Sequence, residues 1–469
     1  MQSRTKHITL LKRPKAILLV VLFVFLWASC TSKAKKEFTQ EDAQKQIAHA
    51  WDSTYPQILE SIRPPKFLDT TLTISYTDDF RNRLNHHIDS LSHAGGGTIA
   101  IDSGSYLSKG SIFLKSNIRL HLKEGVELLF STEPEDYLPV VKSRWEGTFL
   151  MNYSPLIYAL DAENIAITGK GSINGQAEQF WYDWKKKQKA DKKRLRQMGN
   201  DQIPLEERIF GQGHYLRPSA IEFIGCKNIL LEGFSIKGSP FWTIHPVLSE
   251  NITIRGLNIQ AGTTNDDGID PESCQNVLIE DCSIQTHDDC IAIKAGRDQD
   301  GWDYPSSENI IIRNNIFDTE VGSGFCIGSE MSAGVRNIFV ENCTLKQSGK
   351  HAFQFKSNPD RGGFIRDVFI RDVEVGSAQI GFEFTTDYKG WRGNEHFTAY
   401  HDFYFQNITI DSTVQKSIVL QGRAEKPIQD IYFQDCTIDF APEMEVVKEA
   451  KNVLFVNTKI NGQFLPTKS

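Results

Sequence analysis

One recurring phrase restricts the fold of this chain more than any other feature: an Asn or Asp, then alternating apolar residues, then an apolar residue eight positions on. Copies begin at Asn228 (NILLEGFSI), Asn251 (NITIRGLNI), Asn276 (NVLIEDCSI), Asn309 (NIIIRNNIF), Asn337 (NIFVENCTL), Asp367 (DVFIRDVEV), Asp402 (DFYFQNITI), Asp430 (DIYFQDCTI) and Asn452 (NVLFVNTKI), with a looser copy at Asn164. From Asn228 onward the starts differ by 23, 25, 33, 28, 30, 35, 28 and 22 residues. That spacing is too regular for independent domains and too short for strand-helix-strand units. The period-two alternation marks strands with one face buried, two short strands per repeat. A unit built only of strands and turns cannot bury its inner face alone, so copies must stack. The expectation is an all-β, single-domain right-handed parallel β-helix, a solenoid of about ten coils. Lys66 to Phe130 supplies the first irregular coils and an N-terminal cap.

Composition narrows the function classes. With 52 Lys+Arg against 59 Asp+Glu, the net charge is −7, which excludes a basic protein built for nucleic acid. Arg4, Lys6, Lys12, Arg13 and Lys15 precede an apolar run from Ala16 to Leu26, shorter than the roughly 20 residues a spanning helix needs. Ala28-Ser29-Cys30 resembles a bacterial lipobox, so residues 1–29 are expected to be a lipoprotein signal peptide and Cys30 the lipidated residue. Residues 30–65 are expected to form a polar tether with a weak helix, and 66–469 the β-helix. The protein is then exported, to the periplasm or cell surface, and held there by lipid alone. Cys282, Cys343 and Cys436 each fall six residues after a repeat marker, where other copies carry Phe234, Leu257, Val373 and Ile408. They read as core residues, and with no Cys-x-x-Cys pair no metal site is expected.

Stacking makes equivalent places in successive coils neighbours, about 4.8 Å apart. Four unusual clusters fall roughly one coil apart: Asn265-Asp266-Asp267-Gly268, His287-Asp288-Asp289-Cys290, Gly322-Ser323-Gly324 and Gln354-Phe355-Lys356. Asp267, Asp288 and Asp289 should therefore converge on one face, with Lys356 further along. Three crowded carboxylates repel one another unless a cation, proton or substrate compensates. Two of them held roughly 6.5–9.5 Å apart could protonate a glycosidic oxygen and activate a water, inverting the anomeric carbon. Turn residues capping backbone groups, or a calcium site, are the competing readings.

With these strings in view, the chain resembles the polygalacturonase family, glycoside hydrolase family 28. The resemblance rests on GSPFWTIHP from Gly238, NDDGIDPESC from Asn265, THDDCIAIK from Thr286 and GFCIGSEMSAGVRNI from Gly324. It implies a right-handed β-helix that hydrolyses α-galacturonosyl linkages of pectin with inversion and without a cofactor. By resemblance Asp288 is the general acid, Asp267 and Asp289 activate the water, and Asn265 helps hold that group in place. Gly322, Gln354, Lys356 and His287 are the expected substrate contacts. Two positions depart from the family: Ser323 stands where a His is usual, and Gln354 where an Arg is, leaving Lys356 to meet a uronate alone. A rhamnogalacturonan hydrolase, or a galacturonidase acting on that backbone, is therefore an alternative, as is a non-catalytic carbohydrate-binding β-helix. The partner is a pectic polysaccharide or oligosaccharide, bound by a monomer.

Bland readings are assigned to several other residues. Lys294, Arg297, Arg361 and Arg366 are expected as solvated surface charges, and Trp242 as core. Trp302 and Trp391, in long excursions, are expected as cleft walls. The run from Lys185 to Arg196 carries eight cations and reads as an exposed insertion helix rather than a pectin-binding arm. Insertions at 176–215 and 383–400 should rise over one side of the cylinder. Closed cleft ends would make the enzyme exo-acting, and an open groove endo-acting.

Overall fold

The computed structural model describes residues 38–75, 77–262 and 264–467. The expected signal peptide and Cys30 lie outside the described residues. Within them the repeat becomes three parallel ladders that run the length of a β-helix. In the first, the residue after each marker is stacked: Ile165, Ile229, Ile252, Val277, Ile310, Ile338, Val368, Phe403, Ile431 and Val453 are paired in register, coil on coil. In the second, Ile236, Ile259, Ile284, Phe317, Leu345, Val375, Ile410 and Ile438 do the same. The sequence pattern shows these two strands and not the third. That third ladder runs through Ile157, Ile221, Ile244, Ile269, Ile291, Phe325, Phe353, Phe382 and Ile418.

The marker residues have a backbone reason. Asn164, Asn228, Asn251, Asn276, Asn309, Asn337, Asp367, Asp402, Asp430 and Asn452 all take left-handed φ, between 54° and 63°. Asn and Asp tolerate that conformation best among residues with a side chain. The Asn amides also join the coils, Asn251 Nδ2 donating to Asn228 Oδ1 at 2.6 Å and Asn337 Nδ2 to Asn309 Oδ1 at 3.0 Å. The seven described cysteines are buried thiols, including Cys282, Cys343 and Cys436.

A helix, Phe80–His93, closes the first coils by inserting Phe80, Leu84, Ile88 and Leu91 into the core. Residues 40–61 carry the expected helix but correct the expectation of a tether, because they pack on the β-helix. Helix α1 (Gln40–His49), a π turn and helix α2 (Tyr55–Ser61) form one packed rod. It buries Ala43, Ile47, Trp51, Tyr55 and Ile58 on an outward apolar column of the first ladder: Leu278, Ile311, Phe339, Phe369, Tyr404 and Tyr432. Those six side chains are the physical reason, because an outward apolar column must be covered.

Candidate active site

The third ladder carries the polar clusters. Gly268, Cys290 and Gly324 donate their backbone N–H groups to the carbonyls of Asp289, Ser323 and His351, at 2.9 to 3.0 Å. Asp267, Asp289, Ser323 and His351 therefore stand in a row up the coils. Asp267, Asp288 and Asp289 line a single cleft of about 730 Å³, which Asn265, Gln354 and Lys356 also line. Asp267 and Asp289 are almost wholly buried, whereas Asp288 is half-buried. Asp288 Oδ1 accepts the N–H of Asp289 at 3.2 Å, and its Oδ2 accepts Asn265 Nδ2 at 3.4 Å. The amide of Asn265 is oriented in turn by Arg217, which reaches its Oδ1 at 3.1 Å, and by Lys185 on the same oxygen.

Two buried lysines answer the repulsion among the acids. Lys356 Nζ pairs with Asp289 Oδ2 at 2.9 Å, and the N–H of Ser323 donates to Asp289 Oδ1 at 2.7 Å. Burial alone would raise the Asp289 pKa, but Lys356 and Lys294 together hold it below the ordinary carboxylate range. Lys294 Nζ lies 3.7 Å from Asp267, 3.8 Å from Asp270 and 3.7 Å from Glu330. Shared three ways, it leaves Asp267 well above the usual range, through burial and then the charges of Asp270 and Asp288. Asp270 is fully buried, and burial takes it up to about 7 against the pull of Lys294. Adjacent carboxylates of opposed tendency are what acid–base chemistry requires.

Several expected contacts are placed differently. His287 is half-buried and its ring does not line the cleft; its backbone N–H donates to Asp266 Oδ2 at 3.2 Å, so it serves the turn. Asp266, the neighbour of Asp267, is the turn-capping acid, also accepting the N–H of Asp288 at 2.9 Å. Gly322 does not line the cleft either: it lies against the main chain of Asp288, where a Cβ would stand 2.0 Å from the carbonyl carbon. Gln354 is in the cleft, but its Nε2 donates to Glu383 Oε2 at 2.6 Å. Lys294, Arg297 and Arg361 are buried, not solvated, because carboxylates far away in sequence meet them. Arg366 lies half-buried outside the cleft and pairs with Asp367 at 2.5 Å. Trp242 is buried and also lines the cleft, its ring 4.7 Å from Lys294 Nζ. Trp302 and Trp391 do not line it; Trp302 Nε1 donates to the Arg361 carbonyl at 2.6 Å, and Trp391 lies beside Arg423.

Sequence reasoning missed Asp270, His351 and Glu383. Alternation from Ile269 could have found Asp270, one position on and outward. His351 stands where the row continues past Ser323, its Nδ1 3.2 Å from Ser323 Oγ and its Nε2 3.1 Å from Glu383 Oε2. An imidazole thus reaches the cleft from the coil after the one where the family carries it.

The cleft has a roof on the side of the earlier coils. A hairpin, Val141–Trp145 with Thr148–Asn152, lies over outward residues of the third face. Ser143 Oγ and the N–H of Arg144 both donate to Glu222 at 3.0 Å, and the Arg144 guanidinium pairs with Glu272. Glu222, His245 and Glu272 are in consequence fully buried. Helices α3 (Trp184–Lys187) and α4 (Lys189–Asn200) of the insertion pack beside the hairpin, burying Trp184 and Leu195. Of the eight cations in that run, Lys186, Lys187, Lys189, Lys193 and Arg194 are exposed, as expected. Lys192 and Arg196 instead line the cleft, and Lys185 reaches Asn265. The 383–400 excursion supplies Tyr388 and Lys389 to the opposite part of the cleft.

A family model described as Glycosyl hydrolases family 28 matches residues 210–458. A probable polygalacturonase of Vitis vinifera is 28% identical over 341 residues, 71% of this chain and 64% of its own length. An endo-polygalacturonase of Pectobacterium carotovorum subsp. carotovorum is 28% identical over 362 residues, 72% of this chain and 80% of its own. The chain thus spans less than two thirds of the first relative and more of the second. Among solved structures, a hyperthermoactive exopolygalacturonase from Thermotoga maritima is 36% identical with a TM-score of 0.83, covering 89% of this chain and 97% of that one.

Proposed function

Because the chain belongs to family 28 of the glycosyl hydrolases, we propose that it hydrolyses α-galacturonosyl linkages of pectin with inversion at the anomeric carbon. The observation that carries this reading is the convergence of Asp267, Asp288 and Asp289 on one cleft where lysines balance their charge. Asp288, the more open of the three, is the general acid: its proton passes to the glycosidic oxygen as the bond from that oxygen to the anomeric carbon breaks. Asp289, kept ionised by Lys356 and the Ser323 N–H, takes a proton from the water attacking the opposite face, with Asp267 beside it. Burial and then the charges of its acidic neighbours raise Asp267 above the ordinary carboxylate range. The proton that Asp289 takes from the water balances, through solvent, the one that Asp288 gives to the leaving oxygen.

The roofed end of the cleft favours attack at chain ends, the mode in the name of the Thermotoga maritima relative. We also infer export and lipid attachment at Cys30 from the basic and apolar start of the chain, which loss of lipid labelling in Cys30→Ser would test. The reaction is tested by product analysis on homogalacturonan and rhamnogalacturonan. New reducing ends on homogalacturonan, released as monomer with inverted configuration, are expected from the wild type and not from Asp288→Asn. No product on either polymer, or full activity in the variant, would defeat the proposal.

A further inference from the structure

The cations that reach the cleft from the insertion have no role in the chemistry above, and their arrangement is specific. Glu146, at the tip of the roofing hairpin, is buried and collects three of them: Lys192 at 2.5 Å, Arg196 at 2.5 Å and Arg297 at 3.7 Å. Its pKa falls to about 2, because these charges outweigh burial. Arg297 is shared with Glu330. Lys192 and Arg196 share the one Glu146 carboxylate, so the pair keeps a positive charge beyond its counter-ion. The side chains retain 28% and 34% of their exposure, and both line the cleft. They are also fixed in place. They lie one turn apart on α4, beside the row that buries Asp191 and Leu195, and Lys192 lies over the Trp145 ring at 5.6 Å.

The group adjoins the reacting acids. Lys185, bonded to Asn265 and so one residue from Asp288, feels Lys192, Glu146 and Asp288 together. Its pKa drops to about 8, by burial first and then the nearby Arg217 and Lys192. The roof leaves no floor beyond this point, since Glu222, His245 and Glu272 are sealed beneath it. A sugar on this side of Asp288 therefore ends against Lys192 and Arg196. A pre-positioned Lys and Arg that share a single counter-ion, Glu146, form a receptor for a carboxylate. Resting on the pectin-hydrolase reading, we propose that Lys192 and Arg196 form a subsite at the roofed end of the cleft for the carboxylate of a chain-terminal uronic acid.

The test is titration calorimetry of D-galacturonate and D-galactose into the full chain carrying Asp288→Asn, which reads binding without turnover. Galacturonate is expected to bind at least about tenfold more tightly than galactose, as a charge-assisted contact implies. Adding Lys192→Met should bring the two sugars to within about twofold of each other. Arg196→Gln, whose amide can still donate to Glu146 and so spares the wall, should do the same. Equal affinity of the parent for the two sugars, or unchanged discrimination in both variants, would overturn the subsite. A protein that binds galacturonate through Lys192 yet cleaves no galacturonide would uphold it while defeating the hydrolase reading.

Discussion

Gly322 shows how little space the residues around the acids leave. A Cβ there would stand 2.0 Å from the carbonyl carbon of Asp288, 2.2 Å from its oxygen and 2.3 Å from the nitrogen of Asp289, all backbone atoms that no rotamer change relieves. Gly322→Ala should displace both acids together. Misplacement by about 1 Å costs about a hundredfold in rate, and overpacking about 1–3 kcal/mol in stability. A kcat within threefold of wild type would show that the strand yields elsewhere. The trio itself was legible from spacing, because register alone decides which residues of neighbouring coils meet. The counter-ions were not. Lys294 and Arg297 look like surface charges because their partners lie far off in sequence, Glu146 standing 151 residues from the Arg297 that bonds its carbonyl. His351 was hidden for a related reason: it enters the cleft from the coil after that of Ser323, outside the four clusters that the spacing singles out.

At the scale of elements, two ladders were readable and the third was not. The first two keep a strict inward and outward alternation behind an Asn marker. On the third face Cys290 and Ile291 both point inward, breaking the period, and its strand spans only Ile291–Ile293. Chemistry occupies the outward positions there, so no apolar pattern announces a strand. Residues 40–61 failed for the opposite reason. The three- and four-residue spacing of Ala43, Ile47, Ala50, Trp51, Ile58 and Ile62 supports the weak helix expected there, but beside a charged leader it does not show that the helix packs on the β-helix rather than serving as a tether. Trp51 anchors this rod, its ring 5.2 Å from Phe339 and 3.6 Å from the guanidinium of Arg371. Trp51→Ala should cost about 3–5 kcal/mol of docking free energy. Residues 38–66 should then be cut early in limited proteolysis while kcat/KM stays within twofold. An uncut rod would mean that the remaining apolar contacts suffice.

The whole molecule carries a net −7, yet the wall of its cleft is built on buried ion pairs that join distant loops. Arg208 meets Asp300 at 2.8 Å, Arg361 meets Asp298 at 2.6 Å, and Arg144 meets Glu272 beneath the hairpin. His245 lies among them, 3.0 Å from Glu272 Oε2 and 3.8 Å from Glu222 Oε2. Burial opposes its charge, but the two carboxylates prevail and raise the imidazole from 6.5 to about 9. A folded-state pKa above the unfolded value means that the folded state holds the proton more tightly. The resulting stability is complete below about pH 6.5 and is lost as pH rises through about 9. The shift corresponds to about 3 kcal/mol. Denaturant titrations across this window should show the wild type losing stability of that order. His245→Gln, which keeps a donor for Glu272, should show a flatter profile. Equal slopes in the two proteins would mean that the buried imidazole is neutral throughout, and that the hairpin is held over the cleft by Arg144 rather than by a charged histidine.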